Sequence, residues 1–181
     1  MSPRLLPLAL MLAGCNGSLL TIDVPFESTT TVEQGSIIEN LAGGLGFGDF
    51  LNMDITDSQE LRNQGVSPGD IQDVRLTEFE LEAVAPQGAD LSFLDALDIY
   101  VEAPGLDEVR VATAPGFPEG EALVVMTIEE VDLTEYAVSE SMTITTDVSG
   151  HRPDVDTDVK ARILLEVGVT AQGARNQANA R

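Results

Sequence analysis

Apolar residues recur at every second position along much of this chain, the period of a half-buried β-strand. Leu20, Ile22, Val24 and Phe26 share one face. Pro25 confines that run to a sheet edge or an irregular strand, because proline cannot donate to a central ladder. Val74 and Leu76 share a face, then Phe79, Leu81 and Ala83 share one, and the skipped beat at Thr77-Glu78 predicts a bulge. Glu78, Glu80 and Glu82 fall on the opposite, wet side. Leu97, Ile99 and Val101 alternate with Asp98, Tyr100 and Glu102, and Val109 and Val111 flank Arg110. Residues 123–128 are apolar on both faces apart from Thr127, the pattern of a central strand. Met142, Ile144 and Val148 lie opposite Thr143, Thr145 and Asp147.

The last run is the longest. Val155, Val159, Ala161, Ile163, Leu165, Val167 and Val169 occupy odd positions, and Asp154, Asp156, Asp158, Lys160 and Arg162 even ones. One face is therefore expected in the core and the other in water. Lys160 and Arg162 are natural counterions for Glu78, Glu80 and Glu82 if the two strands pair. Turn signals separate the runs: Ser67-Pro68-Gly69-Asp70, Pro86-Gln87-Gly88, Ala103-Pro104-Gly105, Pro115-Gly116-Phe117-Pro118 and Ser149-Gly150. Helical periodicity is brief, with two turns over 57–63 ahead of Gly65 and one over 131–136. These features predict an all-β protein, an antiparallel, immunoglobulin-like β-sandwich of about 7–8 strands spanning residues 19–171. Residues 172–181 are polar, acid-free and aperiodic, and are expected to form a disordered tail.

Composition narrows the function classes. The formal net charge is −22, with 31 acidic against 9 basic residues. Such a chain is repelled by phosphates, so nucleic acid is excluded as a partner and anionic headgroups are poor ones. A hydrophobic content of 43% argues for a folded core despite that charge. With aromatics at 4% and no tryptophan, aliphatic side chains must fill it. Calcium, a saline habitat or plain solubility could each underlie the acidity.

The start of the chain carries an address. Arg4 precedes the apolar run 5–12, which ends in Leu12-Ala13-Gly14-Cys15, and Cys15 is the only cysteine. Eight apolar residues are far short of the roughly 20 that span a bilayer, so the segment reads as an export signal. Leu12, Ala13, Gly14 and Cys15 resemble the lipobox of bacterial lipoproteins residue for residue. The resemblance implies removal of residues 1–14, a diacylglyceryl thioether on Cys15, and a short lipidated tether over 15–18. Asn16 behind the cysteine is, by analogy, consistent with the outer membrane. The layout of residues 40–170 is also similar to exported lipoproteins of myxobacterial type. That likeness rests on Ser67-Pro68-Gly69-Asp70-Ile71, on Phe93-Leu94-Asp95 before Ile99-Tyr100-Val101, and on Val131-Asp132-Leu133-Thr134-Glu135-Tyr136. It implies a sandwich and no particular activity.

Few constellations carry chemistry. Asp154, Asp156 and Asp158 have the spacing of the first oxygen ligands of a calcium loop, and are the candidate metal residues. Against this, Val159 stands where such a loop has glycine, and Leu165 where it has glutamate. One straight strand also holds alternate carboxylates about 7 Å apart. Gly43-Gly44-Leu45-Gly46-Phe47-Gly48 has no helix behind it to cradle a phosphate. With Ile37, Ile38, Leu41, Leu45, Phe47 and Phe50 it reads as an apolar loop that covers an edge or contacts a partner. His151 is the only histidine and sits in a turn; no Gly-x-Ser-x-Gly elbow exists. Tyr100 and Tyr136 read as a cross-strand anchor and a corner hydrogen bond. The expectation is a membrane-anchored, non-enzymatic envelope lipoprotein acting as a structural or interaction module, without a cofactor, on an envelope protein or glycan. The alternatives are a calcium-dependent adhesion or glycan-binding domain and a carrier of a small apolar ligand.

Overall fold

The computed structural model describes residues 20–35, 58–139 and 141–179. Among them, eight strands form two four-stranded sheets. They are β1 (Leu20–Val32), β2 (Ile71–Ala85), β3 (Leu94–Glu102), β4 (Val109–Ala114), β5 (Leu123–Val125), β6 (Thr127–Ile128), β7 (Thr143–Gly150) and β8 (Thr157–Val169). Three short helices accompany them: α1 (Gln59–Asn63), α2 (Thr134–Ala137) and α3 (Ala171–Asn179). The first sheet runs β1-β8-β2-β5 and the second β6-β4-β3-β7, and every pairing is antiparallel. The fold is an all-β sandwich. In the constant-type immunoglobulin order the first two strands are neighbours, whereas here the last strand lies between them.

Strand parity explains the core. Val159, Ala161, Ile163, Leu165, Val167 and Val169 of β8 are all buried, facing Leu97, Ile99, Val101 and their neighbours in the second sheet as one apolar cluster. The beat skipped at Thr77 is a bulge: Leu76 pairs with Leu165 but Glu78 with Leu164. The Thr77 hydroxyl donates to the Leu164 carbonyl at 3.1 Å. Phe79, Leu81 and Ala83 thereby return to the core face. Of the two placements that Pro25 allows, β1 takes the first and is an edge of its sheet.

Three expectations are corrected. The run 123–128 is not a central strand. It forms two short edges, β5 on one sheet and β6 on the other, and crosses between them at buried Met126. The Met126 N–H donates to Phe79 of the first sheet at 2.9 Å, and the Glu129 N–H to Val111 of the second at 2.9 Å. An edge strand that changes sheets buries one side at a time, so Leu123 and Val125 stay in solvent, Val125 at 62%. Second, β8 begins at Thr157, so Val155 is not core but 50% exposed, and Thr157, only 2% exposed, takes the first inward position. Third, the tail is helical over Ala171–Asn179. Its anchor is small and polar and so leaves no apolar period. The Thr170 N–H donates to Asp70 at 2.8 Å, and Gly173 packs so closely that an added Cβ would lie 2.6 Å from the Asp70 Cβ.

The strand directions give the sandwich two poles. One holds the start of β1, the end of β8 (Leu20 opposite Val169) and the start of β2 (Ile71 opposite Val169). Here α2 is tied to β2, with the Val74 N–H donating to Thr134 at 3.0 Å. The Tyr136 hydroxyl donates to the Asp107 carbonyl at 2.7 Å, the corner bond expected of it. The other pole gathers the turns at 33–35, 86–93, 115–122 and 151–156.

Candidate functional site

At the second pole the β2–β3 loop and the β7–β8 connection enclose an open cleft of about 210 Å³, lined by Asp90, Ser92, Phe93, His151, Asp154 and Val155 among others. The His151 N–H donates to the Phe93 carbonyl at 2.8 Å, closing one wall. Asp90 ties the β2–β3 loop to the turn at 115–122. Its carboxylate accepts from the Ser92 hydroxyl at 2.7 Å and N–H at 3.1 Å, and from the Gly120 N–H at 2.6 Å. Led by the Ser92 hydroxyl, these donors favour the charged form and hold Asp90 below the usual carboxylate range. The Ser92 proton is thus committed to a carboxylate. Among the described residues no hydrogen bond joins it to the His151 ring.

Of the three aspartates singled out by spacing, Asp154 lines this cleft, and Asp156 and Asp158 give their carboxylates to the end of β1. The Gln34 N–H donates to the Asp156 carboxylate at 2.7 Å, and the Thr31 hydroxyl to Asp158 at 2.6 Å. Near Asp154 the contact is to the main chain, whose carbonyl accepts from the Gln34 amide. Asp154 and Asp156 precede β8 in a bend, while Asp158 lies within the strand. Among the described residues no three His, Cys, Asp or Glu side chains converge as metal ligands.

The outer face of the first sheet carries a charge ladder. Arg162 stands opposite Glu27 on β1 and Glu80 on β2. Its guanidinium lies 2.6 Å from Glu82, 3.3 Å from Glu27 and 3.5 Å from Glu80, and Lys160 lies 2.8 Å from Glu27. Chiefly through its bond to Lys160, Glu27 is held below the usual carboxylate range. Glu80 and Glu82 are the partners that strand pairing predicts. Glu78, displaced by the bulge, faces Leu164 instead. Glu27 was not foreseen, because nothing in β1 itself says that it adjoins β8.

The second sheet is less balanced. Asp98 on β3 stands directly opposite Asp147 on the edge strand β7. Arg110 lies 3.5 Å from Asp98 Oδ1, but its short contact, 2.7 Å, is to Glu129. Asp98 Oδ1 and the Thr146 hydroxyl are both shielded from water and accept no hydrogen bond among the described residues. The Thr145 hydroxyl donates to Glu108 at 2.7 Å.

Cys15, the candidate lipid attachment point, and Ile38, Leu41, Leu45, Phe47 and Phe50 of the apolar loop lie outside the described residues. No protein-family model, curated protein or solved structure matches the chain.

Proposed function

We propose that this is a lipid-anchored protein of the bacterial cell envelope, a non-enzymatic structural or interaction module held at the outer membrane through Cys15. The observation that carries the reading is the place where the sandwich begins. β1 starts at Leu20, so at most five peptide units, roughly 18 Å of extended chain, separate the cysteine from the first pole. The 13 residues of β8 give the sandwich a long axis of about 40 Å. A domain tethered so briefly rests with its Leu20–Val169 pole at the bilayer, and its opposite pole stands away from it. The tether sets this orientation; attraction does not, since a net charge of −22 gains nothing from an anionic surface. No helix among the described residues is long and apolar enough to cross a membrane.

The test is expression of the wild type and Cys15→Ser in a Gram-negative host, followed by fractionation and mass spectrometry. The wild type is expected in the membrane fraction, starting at Cys15 and carrying a diacylglyceryl mass, and the variant in the soluble fraction. A variant that still floats with membranes, beside a wild type without lipid mass, overturns the reading.

A further inference from the structure

Four strands bound the two sheets, and three of them are poor templates for another chain. β5 and β6 contribute three and two residues, and β1 is interrupted by Pro25. Short or proline-bearing edges are how β-proteins avoid pairing with strangers. β7 is different. It runs for eight residues, Thr-Ile-Thr-Thr-Asp-Val-Ser-Gly, without a proline and with glycine only at its end, and among the described residues it pairs with β3 alone. Half of its backbone N–H and C=O groups therefore point away from the sheet.

We infer that β7 is a docking edge, to which an extended basic segment of a partner polypeptide adds as the fifth strand of the second sheet. Charge selects that occupant. Asp98 and Asp147 oppose each other across β3 and β7, an unfavourable like-charge pair whose nearest cation, Arg110, sits on the side away from the edge. A lysine or arginine opposite Asp147 on an added strand would place a cation on the edge side of the pair, as Arg110 stands on the other side. Backbone pairing would supply the affinity and the aspartate the choice of side chain. A second copy of this chain is the poorer occupant, because it brings another Asp147 and another −22 charges to the contact. The inference rests on reading the chain as an interaction module and not on its lipid.

The experiment uses the full chain as Cys15→Ser and three peptides of about ten residues. One alternates lysine with valine, one alternates glutamate with valine, and the third is the lysine peptide N-methylated at every second residue. The expected result is that the lysine peptide shifts the amide signals of Thr143–Gly150 and slows their exchange with solvent, leaving β1 unchanged. The methylated and glutamate peptides should bind at least about tenfold more weakly. Asp147→Lys should move two readouts in opposite directions: it removes the like-charge pair, so its melting temperature should not fall, yet it should weaken the lysine peptide about tenfold. Shifts scattered over the acidic surface without protection of β7 would overturn the proposal. Equal binding of the methylated peptide would do so too, as would β7 amides already protected in the free chain by a second copy. None of these outcomes touches the fractionation test of the anchor.

Discussion

Arg162 and Ile163 are adjacent in sequence and opposite in environment. Ile163 pairs with Phe79 and Phe26 on the strands either side and lies in the core, so Ile163→Asp buries a carboxylate with no partner. The expected loss is on the order of 3–4 kcal/mol. Arg162 points outward, and from its parity alone any replacement looks mild. The charge ladder changes that expectation in kind. Removing the guanidinium leaves Glu27, Glu80 and Glu82 facing one another with only Lys160 nearby, so Arg162→Ala should destabilise measurably, and Arg162→Asp more. These side chains are partly exposed, so water screens the pairs and both changes should remain short of Ile163→Asp. Urea unfolding of the three variants checks the order. Equal midpoints for Ile163→Asp and Arg162→Ala would contradict the register of β8.

Gly150 shows what an element's end demands. It pairs with Leu94 where β7 turns back towards His151, and a Cβ there would lie 2.3 Å from the Phe93 carbonyl oxygen. Backbone cannot yield as a side chain can, so Gly150→Ala is expected to cost about 2–4 kcal/mol and to loosen the wall of the cleft. Gly116→Ala meets nothing within 4 Å and should change stability by less than about 0.5 kcal/mol. Thermal melts of the pair distinguish a tight β3–β7 closure from a loose one. At this scale the sequence is readable wherever a rule is local. The face of each long strand, the bulge at Thr77, the edge position of β1 and the turn ahead of Gly65 all follow from neighbours a few residues apart. What depends on distant partners is not readable in the same way. Residues 123–128 look central because both faces are apolar, and nothing local announces that the two halves serve different sheets. α3 is invisible for a related reason: its docking rests on Gly173 and Asp70, which carry no hydrophobic signal. The candidate site follows the same division, for the aspartate spacing at 154–158 is plain in the chain, whereas its use by Thr31 and Gln34 depends on β1 adjoining β8.

The whole molecule carries a net charge of −22, and that excess governs its response to ions. Charges of one sign repel in the compact state, and any electrolyte screens them, so salt of any kind should raise the melting temperature. A calcium site at Asp154, Asp156 and Asp158 would behave otherwise. It would stabilise with a saturating, calcium-selective dependence, by mass action on the folded state. The geometry opposes such a site. Asp156 accepts a backbone N–H from the turn that ends β1, Asp158 accepts the hydroxyl of Thr31 within β1, and Asp154 adjoins that turn through its carbonyl. A cation drawing these carboxylates together would have to displace the bonds that hold β1 to β8 at this pole. Calcium is therefore expected to raise the melting temperature no more than magnesium does, and no more than sodium chloride at equal ionic strength. Asp156→Asn should leave that response unchanged. Its own effect should appear as a small loss of stability in every salt, because an amide oxygen accepts the Gln34 N–H less strongly than a carboxylate does. A saturable calcium shift that disappears in Asp156→Asn would reverse the assignment, making the second pole an ion-dependent surface and promoting adhesion over the β7 edge as the way this molecule meets its partner.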